Sequence, residues 1–428
     1  MMTLEKRNNT LEEFDPFAGD IIEKIVPAIE SQKEIFTSCI LGGEEANLAY
    51  NLSLSLQFTG RLEEEVLKEA IVELHNRHES LRATFTEDGT QMIIYESRST
   101  DWYYQDLGPL GEKDQQSIVA AYNEENAASP FDLFNGPLTR FALFRFSADR
   151  YMLTVTAHHI ICDGWSLGIL LEDVSKLYNA KSSGLPPGAK PLLFSDYVVR
   201  TVQYEASNEY NEALNYWRKQ YEEDVPVFEI PPDFPRPVRR TYKASREDFV
   251  LPAEIAEDIK KVGARYGCSF VNTLLSVFEV LLFKYSGSAD VVIGLPAAGQ
   301  AAKEMYNLIG HCVNLLPLRS NPGKALSFAD YLSQRKTKML DDYDHQQFTF
   351  GTFLQKIKIE RDPSRIPLVP VAFNIDIGMD GDVHFNNLDY RIINNKRAAE
   401  TFELFLNITN CKEGYAFQWS YTKQLYEP

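Results

Sequence analysis

The stretch TVTAHHIICDGWSLGILL, Thr154 to Leu171, decides the fold. It joins an apolar run with strand-like alternation to a helical one, and two of the chain's seven histidines stand at the join. Successive side chains on a strand point to opposite faces. Leu153, Val155, Ala157 and His159 therefore share one face, and Met152, Thr154, Thr156 and His158 the other. Two such histidines do not reach the same small site. His159 is the candidate for chemistry, because an unperturbed imidazole pKa of about 6.5 suits an amine or hydroxyl nucleophile. His158 packs or hydrogen-bonds behind it. Asp163 has two readings: it orients His159 as the third member of a relay, or it holds the loop through an ion pair. Gly164 admits close backbone approach and offers its N–H to an oxyanion. The plainer alternative is that Asp163 and Gly164 only cap a helix starting near Ser166.

Outward from this motif, the pattern alternates strands with helices in both halves, which predicts two α/β lobes. In the first half, strands are expected over 47–58, in TQMIIYES and in RYMLTVTA, with helices after Arg61 and around QQSIVAAYNEENAAS. A long helical stretch then runs from Phe194 to Glu223. The segment IPPDFPRPVRR has four prolines between Pro231 and Pro237 and suits neither helix interior nor central strand. It reads as a connector. The expected organisation is a leader over 1–24, an N-terminal lobe over 25–200, a helical and Pro-rich connector over 201–240 and a C-terminal lobe over 241–428. In the last, one helix is expected over 253–286.

Composition excludes several classes. A net charge of −18 is a poor match for nucleic acid or an anionic membrane, which need clustered Lys and Arg. Five scattered cysteines without a CxxC pair argue against a disulfide framework or zinc ribbon and fit a reducing cytosol. No stretch approaches the ~20 apolar residues of a membrane span. No Gly-rich phosphate loop or metal-ligand spacing occurs, so no metal and no resident cofactor are expected.

Nine segments in order carry a resemblance. HHIICDGWS resembles the His-His-x-x-x-Asp-Gly signature of nonribosomal peptide synthetase condensation domains. RHESLRATF, PFDLFNGPLTR, FSDYVV with Trp217, IPPDFPRP, VIGLPAAGQ, IGHCVNLLPLR, HQQFTF and RDPSRIPLVPVAFNID follow the same family's order. The resemblance runs from about Ser31 to Tyr426. It implies two chloramphenicol-acetyltransferase-like lobes arranged as a V-shaped pseudo-dimer around a central tunnel. It also implies amide formation, by attack of a carrier-bound aminoacyl amine on a carrier-bound acyl or peptidyl thioester. The partners implied are upstream donor and downstream acceptor carrier proteins with their phosphopantetheine arms, beside adenylation or polyketide synthase domains. A cytoplasmic domain, monomeric when excised, is expected, and the ending YTKQLYEP fits a piece of a larger synthetase.

On this resemblance the catalytic set is His159, Gly164, His158 and Asp163. Trp165, Ser166, Asn374 and Gln300 are expected at the substrate tunnel, and Arg77 or Arg82 is the ion-pair partner of Asp163. His311 is expected as core or tunnel wall, Trp217 as packing and His345 away from the chemistry. Two departures stand out. AAGQ places Gln300 where the family commonly has arginine. The start ESQKEIFTSCILGG lacks the pattern of ordinary amino-acid-joining members and, with Cys162, looks like the group found in hybrid polyketide–peptide lines. The alternatives are a free-standing acyltransferase of the same superfamily and a non-catalytic recruiting module.

Overall fold

The computed structural model describes residues 20–323, 326–360, 362–376 and 381–428. Seven strands come from the first half: β1 (Ile22–Pro27), β2 (Asn51–Thr59), β3 (Ala83–Phe85), β4 (Gln91–Tyr95), β5 (Asp101–Asp106), β6 (Thr139–Ser147) and β7 (Arg150–His158). Seven more follow: β8 (Ala244–Pro252), β9 (Val291–Ala298), β10 (Val313–Ser320), β11 (Val371–Asp376), β12 (Asp389–Asn394), β13 (Leu404–Cys411) and β14 (Gly414–Thr422). They form a five-stranded sheet in the order β12-β2-β7-β6-β5, a six-stranded sheet in the order β10-β9-β11-β13-β14-β8, and a small sheet β1-β4-β3. Both large sheets mix parallel and antiparallel pairs. Helices cover them, as the alternating pattern predicts.

β7 lies at the centre of its sheet, paired antiparallel with β2 and β6. One face carries Leu153, Val155 and Ala157, all fully buried in the first hydrophobic core. The other face is polar yet also buried, and it is satisfied by cross-strand hydroxyl pairs. Ser53 Oγ lies 2.9 Å from Thr156 Oγ1, and Ser55 Oγ 2.9 Å from Thr154 Oγ1. Asn395, just past β12, donates to Ser53 Oγ at 2.9 Å and to Ser55 Oγ at 3.0 Å. Such pairing is what a buried polar face requires.

Packing crosses the boundaries expected from sequence. β12 lies in the 241–428 segment but pairs with β2 along its whole length. Val383, Phe385 and Leu388 enter the first core with it. Tyr210, Ala213 and Trp217 of the expected connector join the second core, where Trp217 is fully buried and donates to His345 O at 2.9 Å. β1 begins at Ile22, inside the segment expected as a leader; residues 1–19 of that segment lie outside the described residues. The expected 253–286 helix is two helices, Ala253–Arg265 and Phe270–Ser286, bent by 97°. Gly267, at φ +66°, makes the turn between them in a conformation that favours glycine. The long stretch after Phe194 likewise divides, into Phe194–Glu205 and Asn208–Gln220, where Ser207 caps the second helix through Tyr210 N. Among the described residues no single helix is long and apolar enough to cross a membrane.

A buried ionic cluster pins helix Phe328–Asp344 to helix Phe270–Ser286. Arg335 Nε donates to both Glu279 oxygens at 2.8 and 3.0 Å, and Arg335 Nη1 lies 3.3 Å from Asp342 Oδ2. Removing the cation leaves the buried Glu279 carboxylate with the Tyr331 hydroxyl at 2.7 Å but no charged partner, and Asp342 with Lys338 and the Tyr216 hydroxyl, each at 2.8 Å. Arg335→Met should therefore lower the unfolding free energy by about 3–5 kcal/mol. Urea unfolding at pH 7 measures this, and a loss below about 1 kcal/mol would contradict the structural role assigned to the cluster.

Candidate functional site

The site is the turn at the C-terminal end of β7. Three backbone hydrogen bonds shape it: His158 N to Leu138 O at 3.0 Å, His159 N to Tyr50 O at 2.8 Å and Ile161 N to His158 O at 3.1 Å. The chain then enters helix Gly164–Ser182, with Asp163 as its N-cap, accepting from Ser166 N at 2.8 Å. The capping expectation holds. The cap also does more than cap.

The buried Asp163 carboxylate takes donors from both halves of the chain. Ser166 Oγ lies 2.7 Å from Oδ1. Gln300 Nε2 donates at 3.1 Å to Oδ1 and 3.0 Å to Oδ2, and Cys312 N donates to Oδ2 at 2.9 Å. Ser166 Oγ extends the joint, lying 2.7 Å from Gly310 O and accepting from Gly310 N at 3.0 Å. Every donor is neutral, so the anion is held by dipoles rather than by a cation.

Neither expected arginine partner is present here. Arg77 donates to Pro187 O at 2.8 Å and to Ala189 O on the surface. Arg82 bonds Glu23 Oε2 at 2.5 Å and also Tyr95 O. The physical reason is that position 300 holds an amide, which reaches Asp163 through one nitrogen. The Gln300 Oε1 is left without a partner among the described residues. Two further expectations are corrected with it. Ser166 and Gln300 do not line a substrate path; both are fully buried and committed to Asp163. With both its oxygens engaged, Asp163 does not act as the orienting member of a relay to His159.

The histidines separate as strand geometry requires. His158 is fully buried, accepts from Ile160 N at 3.2 Å through Nδ1, and places Nε2 4.0 Å from Cys39 Sγ. Burial, reinforced by the neighbouring His159, pushes its pKa down to about 3. It is a neutral packing residue behind the site, not a member of the reacting set. His159 instead lines a cavity of about 1340 Å³ between the two halves. His159, Gly164 and Trp165 face it from the first half, and His311, Asn374 and Asp376 from the second. His159 keeps some surface, opening on that cavity, while the rest of the ring is enclosed. Burial lowers its pKa, Asp163 opposes this and the Arg397 charge adds to it. The imidazole is therefore neutral at pH 7. Its Nδ1 sits 3.2 Å from His311 Nδ1, with the rings 5.1 Å apart at 78°.

Gly164 needs no special backbone conformation. A Cβ there would meet only Asp376 oxygens at 3.7 and 3.9 Å, so the residue supplies room rather than flexibility. Trp165 is 44% exposed and donates to Tyr306 O at 2.8 Å. Asn374 donates to Asn407 Oδ1 at 2.9 Å at the cavity wall. His345 stacks on Tyr216 at 3.9 Å, off the cavity.

Sequence reasoning missed Asp376, Arg397 and Glu34, which also line the cavity. Asp376 is held above the usual carboxylate range by burial, against the pull of Asn374 and Arg397. Glu34 accepts from Gly351 N at 2.6 Å, and burial raises its carboxyl to about 7. No motif signals them, because each reaches the site by tertiary packing from a separate element.

The cage predicts a stability effect. Asp163→Ala leaves the Cys312 N–H without its acceptor and Gln300 Nε2 with only the longer contact to Ser166 Oγ at 3.4 Å, and each such loss costs about 1–3 kcal/mol. A loss on the order of 3 kcal/mol is expected by urea unfolding. A variant as stable as the parent would contradict the cage.

Comparison with known proteins then places the chain. A family model described as Condensation domain matches residues 22–428. Phosphinothricin tripeptide synthetase PhsC of Streptomyces viridochromogenes is 32% identical over 394 residues, 90% of this chain and 36% of that protein. Surfactin synthase subunit 2 of Bacillus subtilis is 28% identical over 424 residues, 99% of this chain and 11% of that protein. The chain thus spans well under half the length of these curated relatives. Among solved structures, the condensation domain of the Monacolin K polyketide synthase MokA superposes with a TM-score of 0.83 at 17% identity, covering 95% of this chain and 94% of that one. The first condensation domain of the CDA synthetase gives 0.81 at 20% identity, with 94% and 92% covered. Such likeness establishes the fold, two acetyltransferase-like lobes set as a pseudo-dimer. With the family match running from β1 past β14, the chain belongs to the Condensation domain family.

Proposed function

We propose that this domain joins two carrier-bound substrates by an amide bond, with His159 as the group that handles the acceptor amine. The observation that carries the reading is a neutral imidazole in the turn that ends a central strand, facing a cavity that both halves line. In this reading the cavity, about 1340 Å³ and lined from both halves, receives an acyl or peptidyl thioester from one carrier arm and an aminoacyl thioester from another. The domain binds no cofactor of its own in this reading; the phosphopantetheine arms arrive with upstream and downstream carrier proteins. Adenylation or polyketide synthase domains load those carriers.

The chemistry follows from the electrostatics. A thioester is already activated, so positioning and exclusion of water supply much of the rate. A free α-amine has a pKa of about 8. Burial makes His159 a much weaker base than that, and removing a proton from an ammonium in the ground state is strongly uphill. The amine therefore arrives neutral and is oriented by the imidazole. As the C–N bond forms, the nitrogen becomes acidic and its proton passes to His159 Nε2. As the C–S bond breaks, the same proton goes to the leaving thiolate. The Gly164 N–H, at the positive end of a 19-residue helix, faces the developing oxyanion.

His159→Ala should reduce single-turnover amide formation by at least 10²-fold, the usual scale for a positioned acid–base group, while melting within about 2 °C of the parent. Mass spectrometry of loaded donor and acceptor carrier proteins is the assay. Parent-like product formation would contradict the role.

Gly164→Trp should block turnover with the fold kept, and Gly164→Ala should retain it, because the space facing Asp376 accepts one methyl. Turnover by the tryptophan variant at the parent rate would remove Gly164 from the substrate path.

A further inference from the structure

The His159–His311 contact has no part in the reaction as described above. His311 is buried, and its backbone neighbours are fixed by the Asp163 joint: Gly310 through Ser166, and Cys312 through Asp163 itself. The ring is thus delivered to His159 by the same polar cage that holds the turn. At 3.2 Å the two Nδ1 atoms are within hydrogen-bonding distance, beside the His159 backbone carbonyl, and a bond between them requires a proton on one of the two alone. Two N–H groups facing each other repel, and so do two lone pairs. Either His159 carries the proton on Nδ1 and His311 carries its own on Nε2, or the reverse holds.

The reaction chooses between them. When His159 takes the amine proton on Nε2, the resulting imidazolium carries a proton on Nδ1 as well. His311 Nδ1 must then accept. A His311 protonated at Nδ1 would set two N–H groups against each other as the charge develops. The acceptor form suits both states of His159 and needs no tautomer change during the step. Around the pair, His158 stands behind His159, Asp163 lies in the same turn, and Arg397 and Asp376 face the cavity from the second half. Asp163 is already committed to its four donors, so among the described residues His311, and not a carboxylate, stands at His159 Nδ1, where a serine-protease triad has its aspartate.

We propose that His311 is a positioning residue that holds His159 in its Nδ1–H tautomer, leaving the Nε2 lone pair for the acceptor amine. The proposal rests on the role given to His159 above. The Nδ1 proton stays in place throughout; only the amine proton moves, to Nε2 and then to the departing sulfur.

Two measurements on the full chain test it. Long-range ¹H–¹⁵N spectra of histidine-labelled protein at pH 7, assigned with His159→Gln and His311→Leu, read each tautomer directly. His159 should show the Nδ1–H pattern and His311 the Nε2–H pattern; the reverse assignment overturns the proposal. In single-turnover condensation, His311→Leu should lower the rate about 10- to 100-fold, the worth of a hydrogen bond to a charged group, with acceptor KM little changed. His311→Asn, whose Oδ1 nearly occupies the place of a histidine Nδ1, should recover most of that loss. A parent rate in His311→Leu, or equal defects in the two variants, overturns the proposal. A parent rate in His159→Ala overturns the underlying role of His159 instead.

Discussion

A buried carboxylate held without a cation is the constraint on which the rest of the site depends. Asp163 caps the helix that follows the reactive turn, and through Gln300 and Cys312 it ties that turn to the second half of the chain. An isolated carboxylate in such a place is costly unless its lone pairs are filled. The chain fills them with amide, hydroxyl and backbone donors. The same joint sets the position of the segment Gly310–Cys312, and hence of His311 beside His159. Geometry at the reacting centre and cohesion between the halves are one set of hydrogen bonds.

The electrostatic character of the cavity follows from burial more than from charge. His158 and His159 are both pushed toward neutrality, and Asp376 is pushed toward its protonated form. A neutral imidazole is a good hydrogen-bond acceptor for an amine and a poor competitor for its proton before bond formation. This favours orientation first and proton transfer second, an order suited to a thioester that needs little further activation. Gly164 keeps the approach open by having no side chain between the helix start and Asp376.

Local rules made much of this legible in the sequence. The alternation through Arg150–His158 identified the strand and split the two histidines, and the structure places His158 behind and His159 at the cavity. Trp217 as packing and Asn374 at the wall were instead expectations of the family resemblance; Trp217 is fully buried and Asn374 lines the cavity. What failed was non-local. Helix Glu30–Leu48 was not anticipated, because Gly42 and Gly43 interrupt it and Gly43 sits at φ +65°. β12 joins the other half's sheet, a pairing between residues more than 300 positions apart that no window of sequence reveals. Arg77 and Arg82 were expected as partners for Asp163 because the family resemblance gives the matching aspartate an arginine. The neutral alternative, flagged by Gln300, shows itself only when Ser166, Gln300 and Cys312 converge.

The central claim is that Asp163 and Gln300 act as one joint, and a double-mutant cycle tests it most directly. Unfolding free energies would be compared for the parent, Asp163→Ala, Gln300→Leu and the double variant. Coupling of about 1–3 kcal/mol is predicted, because each single change takes a hydrogen-bond partner from the other's buried polar group and the double change adds no further loss between them. Losses that add to within about 0.5 kcal/mol would mean that the two side chains act independently, and would contradict the account.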